Sequence, residues 1–471
     1  MKKKQVPLHI YVLSIIFVAV ISGGVVYKSQ QQVTVGEQSN DELQKVHNLY
    51  QELQENYYKD VDKDKLIEGA LKGMTEALGD PYTTYFGEKE AEEFTNSLAD
   101  SFEGIGATLT MVNNIPEVAE APIKESPAAK GGLKVHDQIL AVDGQKTKGK
   151  DLGEVVAEIR GKKGSQVVLT IQRKQSTFDV TLTRGKIPIA SLKTEMDDNQ
   201  VTGKIQIASF SESTARELKD AIEKLRGQGA KNFVIDVRQN PGGFLNQVEI
   251  MASMFLKDGQ TIVKFSSDDK IIGEVTASKE LDGGFKVHEP VAVLVDGGSA
   301  SASEIFAAAL KESANVPIVG VQTFGKGTVQ TVNELGDKSE LKMTVQKWLT
   351  PNEEWINEVG LEPSVKVDFP DYAYLPPLSK TTTLHLDDVS EDVKNLNTFL
   401  SVLGYETSGE HFDEQTQQAV KEIQRAAKLT VDGIVNAETA IEIERQLTEK
   451  LIQSDRMYEQ AVDILMKEQK K

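Results

Sequence analysis

The chain lacks cysteine and has few histidines, and both absences exclude classes of enzyme. Without cysteine there is no thiol catalysis, no disulfide bond and no Cys-ligated metal. The six histidines form no His-Glu-x-x-His motif, which excludes the common zinc hydrolases. None lies in a motif that favours a Ser-His-Asp triad. Any catalysis must therefore use other side chains, and no cofactor or metal is predicted.

Clustered positive charge is also missing. The net charge is -19, whereas a nucleic-acid partner requires grouped Lys and Arg to displace counterions from phosphates. No long block of like charge interrupts the chain, so the acidity is that of a solvated surface. We therefore predict no nucleic-acid partner.

The N-terminus carries an uncharged apolar segment. Residues 5–27 contain no Asp, Glu, Lys or Arg and follow three lysines at 2–4. The run is long enough for a bilayer, which needs ~20 residues, and the positive flank should stay inside. We predict that residues 1–28 form an uncleaved membrane anchor and that the rest is extracytoplasmic. The alternative is a cleaved signal peptide followed by secretion.

Residues 38–98 have helical periodicity. Apolar side chains recur at three- and four-residue spacings and form one amphipathic stripe: Leu43, Val46, Tyr50, Leu53 and Tyr57. Such helices cannot bury both faces alone. We therefore predict that they pack on the main body or on a second copy, giving a homodimer. The alternative is a monomer in which this region packs on a second amphipathic arm at 448–471.

Residues 99–186 contain a glycine turn, short strands and one helix in an order that resembles a PDZ domain. That resemblance implies that an extended peptide adds as a strand and that backbone N–H groups of the turn hold its terminal carboxylate. The turn would comprise Phe102, Gly104, Ile105 and Gly106. The implied partner is a protein or peptide with an exposed C-terminus.

Residues 187–378 alternate strands and helices, which predicts an α/β core with its site at strand ends. The two most apolar strands are 233–237 and 291–295, and apolar residues throughout a strand indicate burial on both faces. The second strand leads directly into the serine-rich segment 298–305.

Residues 379–447 resemble the three-helix peptidoglycan-binding module, which implies peptidoglycan as a further partner. The alternative is a structural three-helix domain without a ligand. Residues 437–467 are predicted to form one long amphipathic helix, whose last part is the arm at 448–471. The predicted fold class is therefore multidomain α/β and α+β, with an anchor, a helical arm, a PDZ domain, an α/β core at 187–378 and this module.

A serine hydroxyl needs a base within hydrogen-bond reach before it can act as a nucleophile. We predict Ser301 as nucleophile and Lys326 as base, because Lys326 lies between glycines in an otherwise uncharged run from Val316 to Thr331. Burial in a dry pocket can lower a lysine pKa enough for this role. Gln330, four residues later, can orient the amine without adding charge.

The oxyanion of the reaction requires backbone N–H donors. Ala302 begins a predicted helix, so its N–H group and the helix dipole would favour developing negative charge. The second donor is expected from the turn after strand 233–237, at Gly242 and Gly243. Taken alone, the run of small residues around Ser301 would instead indicate a tightly packed helix entry.

Three segments resemble the carboxyl-terminal processing peptidases, which are PDZ-containing Ser-Lys proteases of the tail-specific group. They are 236–243, 298–305 and 323–330. The resemblance implies the same roles for Ser301, Lys326 and Gln330. It also implies a serine endopeptidase that cleaves proteins near their C-termini, for regulatory processing or signalling. Two departures concern loop geometry: the family's Thr-Pro-x-Gly loop ends in Glu353, and its later Pro-Asp has Ser364 in place of the Asp.

Two alternatives remain open from the sequence. Arg160 ends the PDZ helix and either complements the helix dipole in solvent or bridges the PDZ domain to the protease when a substrate docks. The whole chain could also be a catalytically idle adaptor that holds a protein tail and the cell wall, although the intact Ser301, Lys326 and Gln330 set favours catalysis.

Overall fold

The computed structural model describes residues 40–98 and 101–468. The predicted anchor and its signal-peptide alternative lie outside these residues. Among the helices that are described, none combines the length and apolarity that crossing a bilayer requires. The chain divides into two compact units, residues 1–87 and 88–471.

The described part of the first unit has two helices and a short strand: α1 Asn40–Asn56, α2 Lys63–Glu76 and β1 Thr84–Phe86. Asp62 caps α2 by accepting hydrogen bonds from the N–H groups of Asp64 and Lys65, both at 3.2 Å. Most of the predicted apolar stripe is exposed, including Leu43 and Val46. The predicted helical region extended to residue 98, but its last helix, α3 Glu88–Leu98, belongs to the second unit.

The second unit continues with the predicted PDZ elements. Its strands and helices are β2 Ser101–Gly104, β3 Leu109–Val112, β4 Ile115–Val118, α4 Pro127–Lys130, β5 Gln138–Val142, β6 Gln145–Lys146, α5 Leu152–Ile159, β7 Gln166–Arg173, β8 Ser176–Thr183 and β9 Gly185–Pro188. The main sheet has the order β3-β4-β5-β7-β8, with β6 on β5, while β2 pairs with β9. In this order β3 is an edge strand, and α5 packs against it.

The protease core follows as two sheets with helices between their strands. Its elements are β10 Leu192–Met196, β11 Thr202–Ile207, α6 Thr214–Gln228, β12 Asn232–Asp236, α7 Leu245–Phe255, β13 Thr261–Ser267, β14 Lys270–Thr276, α8 Lys279–Asp282, β15 Val291–Val295, α9 Ala302–Ala314, β16 Ile318–Gly320, β17 Thr328–Glu334, β18 Glu340–Leu349 and β19 Val365–Lys366. The central sheet has the order β10-β11-β12-β15-β16-β19 and is parallel from β11 onward. The second sheet joins β17, β18, β13 and β14 in antiparallel pairs.

Both faces of the central sheet are buried, as the apolar strands predicted. Phe233 and Val293 pack with α6, α7 and α9 on one face. Val234 and Leu294 point to the other face. A parallel sheet buried in this way needs helices on both sides.

The C-terminal region differs from its prediction. After a 3-10 turn, Asp371–Tyr374, come α10 Glu391–Leu403, α11 Glu414–Ala426 and α12 Ala437–Gln453, which share one apolar core. The single long helix predicted for 437–467 is wrong: it breaks at Ser454 and Asp455, and α13 Arg456–Glu468 follows. The terminal arm also has a partner within the chain, because Met457, Ala461 and Leu465 cover the second face of the central sheet.

Candidate active site

Two turns at the carboxyl end of the central sheet build the site. Residues 238–243 follow β12 and residues 296–301 follow β15, and these neighbouring strands are parallel, so both turns lie at one edge. Hydrogen bonds join them. Gln239 donates its N–H to Asp296 Oδ1 at 2.9 Å, and Ala300 donates its N–H to the Asn240 carbonyl at 3.0 Å. The turns are therefore fixed relative to each other.

Ser301 stands at the start of α9 in an unusual backbone conformation. Its φ is 55° and its ψ is -113°, which few residues other than glycine adopt. Such strain persists only when the surroundings hold it, and it is frequent at functional sites. Here the Ser301 N–H donates to Glu304 Oε2 at 2.8 Å.

The buried carboxylate of Glu304 connects the serine turn to the lysine loop. Its side chain is fully buried and accepts four hydrogen bonds. Oε1 accepts from Thr323 Oγ1 and the Gly325 N–H, both at 2.6 Å. Oε2 accepts from the Lys326 N–H at 2.9 Å as well as from Ser301. One side chain thus sets the spacing between the predicted nucleophile and the backbone of its predicted base.

The glycines beside Lys326 are required by close packing. Gly325 has φ 90°, and a Cβ there would lie 2.8 Å from the Gly360 nitrogen. A Cβ on Gly327 would lie 2.7 Å from Trp355 Nε1. The buried Trp348 donates its indole N–H to the Lys326 carbonyl at 2.7 Å. The backbone of Lys326 is therefore held on both of its peptide groups.

The amide of Gln330 is fixed by two threonines. Its Nε2 donates to Thr328 Oγ1 at 2.9 Å and to Thr344 Oγ1 at 3.2 Å. Since the nitrogen is anchored in this way, the amide oxygen is oriented as an acceptor.

The three predicted oxyanion donors are not equivalent. The Gly242 N–H is already donated to Asn240 Oδ1 at 2.9 Å, so the structure does not support a donor role for it. Gly242 is instead required sterically, since a Cβ would lie 2.9 Å from Ser301 Cβ. Within residues 40–98 and 101–468, the N–H groups of Gly243 and Ala302 have no acceptor. These two remain as the candidate donors.

The predicted catalytic and oxyanion residues line one cleft with a volume of about 570 Å³. Ser301, Lys326 and Gln330 share its wall with Gly242, Gly243 and Ala302. The remaining lining is mainly apolar and includes Phe94, Ile189, Phe210, Leu245, Ile305, Val329, Val332 and Trp348. A cleft of this composition can exclude water from the reacting groups and accept apolar side chains.

The loop departure noted in the sequence has a structural counterpart. Glu353 has φ 70°, a left-handed conformation that glycine adopts without strain. Its carboxylate pairs with Lys264 Nζ at 2.7 Å.

The predicted tail-binding turn has free donors beside an open strand edge. In the described parts of the chain, the N–H groups of Ile105 and Gly106 have no acceptor. The Ile105 side chain is buried, so this residue would act through its backbone. Gly104 belongs to the ladder between β2 and β9, and Phe102 lies on the same strand.

Arg160 contacts the PDZ turn. Its guanidinium carbon lies 4.8 Å from the centre of the Phe102 ring. The terminal carbonyls of α5 are instead satisfied by Arg184, which donates to Glu158 O at 3.0 Å and to Ile159 O at 2.8 Å. The dipole-complementing role considered for Arg160 is therefore filled by Arg184.

Comparison with known proteins places this geometry in a family. Residues 201–367 match peptidase family S41, residues 118–173 a PDZ domain and residues 389–441 a putative peptidoglycan binding domain. Residues 22–90 match the N-terminal domain of the activating protease CtpB. The carboxy-terminal processing protease CtpA of Bacillus subtilis is 40% identical, over 99% of this chain and 100% of that protein. The chain belongs to the S41 carboxy-terminal processing proteases.

Other members of this family are similar over most of their length. The carboxy-terminal processing protease CtpB of Bacillus subtilis is 38% identical over 87% of this chain and 85% of that protein. Among solved structures, the photosystem II D1 C-terminal processing protease is 28% identical, with a TM-score of 0.41 over 70% of this chain and 90% of that one. The family models and the curated relatives show a serine-type peptidase with a PDZ domain and a peptidoglycan-binding-like domain.

Sequence reasoning missed two residues that organise the S41 site. Glu304 lies three residues after Ser301, and a Ser-x-x-Glu spacing is the pattern in which the acid reaches back to the serine N–H. That spacing could have identified Glu304. Asn240 anchors the other turn by donating Nδ2 to the Ile207 carbonyl at 2.9 Å. No local pattern indicates this contact.

We expect Glu304→Gln to reduce kcat on an unstructured peptide by about 30-fold or more. The amide would present an N–H donor to at least one of the four donors around it, and hydrogen bonds to a charged group contribute about 1.5–3 kcal/mol each. Steady-state kinetics and thermal unfolding should be measured together. Glu223→Gln, on an exposed position of α6, is the control. Wild-type kcat in Glu304→Gln would contradict this role.

Proposed function

We propose that this protein cleaves protein substrates near their C-termini with Ser301 as nucleophile and Lys326 as general base. The observation that carries the proposal is the common cleft of Ser301, Lys326 and Gln330, together with the Glu304 carboxylate that ties the serine turn to the lysine loop. Family membership supports the reaction class.

In the proposed reaction the neutral Lys326 amine takes the Ser301 proton as Oγ attacks the peptide carbonyl. The resulting oxyanion accepts hydrogen bonds from the Ala302 and Gly243 N–H groups, and the dipole of α9 adds to this stabilisation. Lys326 then protonates the leaving amine. Water hydrolyses the acyl-enzyme by the reverse sequence and restores the Ser301 hydroxyl. Gln330, whose amide nitrogen is held by Thr328 and Thr344, directs its oxygen as an acceptor for the amine.

We expect Ser301→Ala and Lys326→Ala each to reduce turnover by about a thousandfold or more, as loss of a nucleophile or base does in other serine proteases. Cleavage of an unstructured peptide, followed by mass spectrometry, is the measurement. Ser267 and Lys270 have a Ser-x-x-Lys spacing at an exposed hairpin and provide matched alanine controls. Retained turnover in either active-site variant would refute the mechanism and leave the adaptor role.

The PDZ domain is proposed to capture the substrate tail. A peptide would add as a strand to the open edge of β3, and its carboxylate would accept from the N–H groups of Ile105 and Gly106. Arg160, stacked on Phe102 beside this turn, is the proposed sensor that changes contact when the tail arrives. In doing so it would bridge the PDZ domain to the protease core and complete the Lys326 and Gln330 geometry.

We expect a substrate ending in a free carboxylate to be cleaved faster than the same substrate ending in an amide, and Arg160→Ala to remove most of this difference. A C-terminal amide is neutral, so it cannot offer the Ile105 and Gly106 N–H groups the charged acceptor that a carboxylate provides. The measured quantity is kcat/KM for the paired substrates, with exposed Lys148→Ala as control. An unchanged ratio in Arg160→Ala would exclude the sensor role, and equal rates in the wild type would exclude tail capture.

Residues 38–98 are proposed to contribute to a homodimer. Apolar side chains of α1 and α2 are exposed within the first unit, including Leu49, Ile67 and Met74, and Leu78 just after α2 is exposed as well. Exposed apolar side chains become an interaction site when a second copy covers them. Sedimentation of residues 38–471 should give a dimer, and Leu49→Lys with Met74→Lys should give a monomer. A monomeric parent chain would refute the proposal.

Placement outside the cytoplasm, membrane attachment through residues 1–28 and peptidoglycan binding by residues 379–447 remain proposals. A peptidoglycan-binding-like domain supports the wall as the site of action. Co-sedimentation with purified cell walls and fractionation of cells would test them. A protein found only in the cytoplasmic fraction would refute the placement.

A further inference from the structure

The C-terminal helix begins at an ion-pair triad that reaches the active-site turn. Arg238 is the second residue after β12, which ends at Asp236. Its guanidinium donates to Asp455 through Nη1 at 2.8 Å and Nη2 at 2.6 Å. The same group donates to Asp236 through Nε at 2.9 Å and Nη2 at 2.7 Å. Arg238 is therefore held between two carboxylates that lie far apart in sequence.

The triad is shielded from solvent. The side chains of Arg238 and Asp455 are 12% and 18% exposed, and that of Asp236 is 2% exposed. Burial acts to raise the pKa of Asp455, but the hydrogen bonds and charge of Arg238 outweigh it and hold that pKa below its ordinary value. A buried pair of this kind is disrupted strongly when one partner is removed.

Arg238 fixes one end of the turn that carries the candidate oxyanion donor. Gln239 has φ 55° and is held by Asp296, to which its N–H and Nε2 donate. Asn240 is held by the Ile207 carbonyl, and Gly243 follows. The turn thus has anchors in the protease core, at Asp236, Asp296 and the Ile207 carbonyl, and one further anchor at Asp455, the residue before α13.

Asp455 reaches this position only after the chain has passed through the peptidoglycan-binding-like domain. The chain leaves the core after β19, where Val365, Val367 and Phe369 pack on the second face of the central sheet. It returns through α13, whose Met457 and Leu465 pack on the same face. The exit and return segments of the domain therefore share one apolar cluster beside the site.

We propose that Asp455 is a positioning residue of the protease site. Through Arg238 it holds the turn that bears the Gly243 N–H, so the oxyanion geometry depends on the Asp455 carboxylate. This inference rests on the proposed function, because the Gly243 N–H matters only if an oxyanion forms beside it.

The test uses the full chain with Asp455→Asn. Asp455 Oδ1 also accepts the Tyr458 N–H at 3.1 Å, and asparagine caps a helix as well as aspartate does. The variant therefore keeps the cap and removes the charge that Arg238 needs. We expect kcat to fall about tenfold or more, a smaller loss than the ~100-fold that follows deletion of a whole donor. KM for a short peptide should stay within about twofold, because ground-state contacts are unchanged.

The affinity for a peptide aldehyde distinguishes a positioning role of Asp455 from a purely structural one. The aldehyde forms a hemiacetal with Ser301 and places an oxyanion at the proposed donors, whereas the matching peptide alcohol does not. In Asp455→Asn the affinity for the aldehyde should fall together with kcat, and the affinity for the alcohol should not change. Exposed Asp463→Asn, on the same helix, should leave both affinities and kcat at wild-type values.

Leu465→Ala distinguishes an effect on the position of the oxyanion donor from an effect on the stability of the protein. It loosens the packing of α13 without touching the triad, so it should lower Tm but leave the aldehyde-to-alcohol affinity ratio unchanged. If Asp455→Asn does not fold, Asp455→Glu retains the charge and moves the carboxylate by one methylene, and a reduced ratio is again expected.

A wild-type kcat together with a wild-type aldehyde-to-alcohol affinity ratio in these Asp455 variants would overturn the inference. The same change of that affinity ratio in Leu465→Ala would also overturn it. Loss of activity in Ser301→Ala together with wild-type behaviour in Asp455→Asn would overturn this inference alone. Activity in Ser301→Ala would overturn the proposed function itself.

Discussion

One buried carboxylate holds the site together. Glu304 accepts N–H groups from both the Ser301 and the Lys326 segments, and it does so from the first turn of α9. Because it is fully buried, this carboxylate needs the four hydrogen-bond donors aimed at it. The strained backbone of Ser301 and the tight Gly-Lys-Gly loop both donate hydrogen bonds to this carboxylate. Each would relax toward a more ordinary conformation without it.

The sheet supplies the rigidity that the carboxylate alone cannot. Neighbouring parallel strands β12 and β15 end side by side, and hydrogen bonds join the two turns that follow them. Packing on both faces keeps these strand ends in place. The proposed reacting groups therefore lie on short turns whose bases are buried, which suits a reaction that depends on preorganised donors.

The sequence predicted the parts of this arrangement that are local. Strand, turn and helix around Ser301 follow from apolar runs and small residues, and the resemblance to a three-helix module predicted the helical C-terminal domain that the structure contains. Contacts between distant segments were not predictable in this way. The break at Ser454 and Asp455 lies in a stretch whose helical period continues across it, and only the sheet face far away in sequence explains the turn. The donation of Asn240 Nδ2 to the Ile207 carbonyl likewise joins segments that no local pattern relates.

The order of segments along the chain has a practical consequence for dissecting the protein. The peptidoglycan-binding-like domain lies between two segments that both contribute to the protease core. It is therefore inserted into that core and is not attached at its end. Ending the chain before it would strip a helix from the sheet and expose Val234, Leu294 and Val319 to water. In a shortened enzyme that keeps the protease core intact, Val367 or a nearby residue must therefore be joined directly to the segment that starts at Asp455.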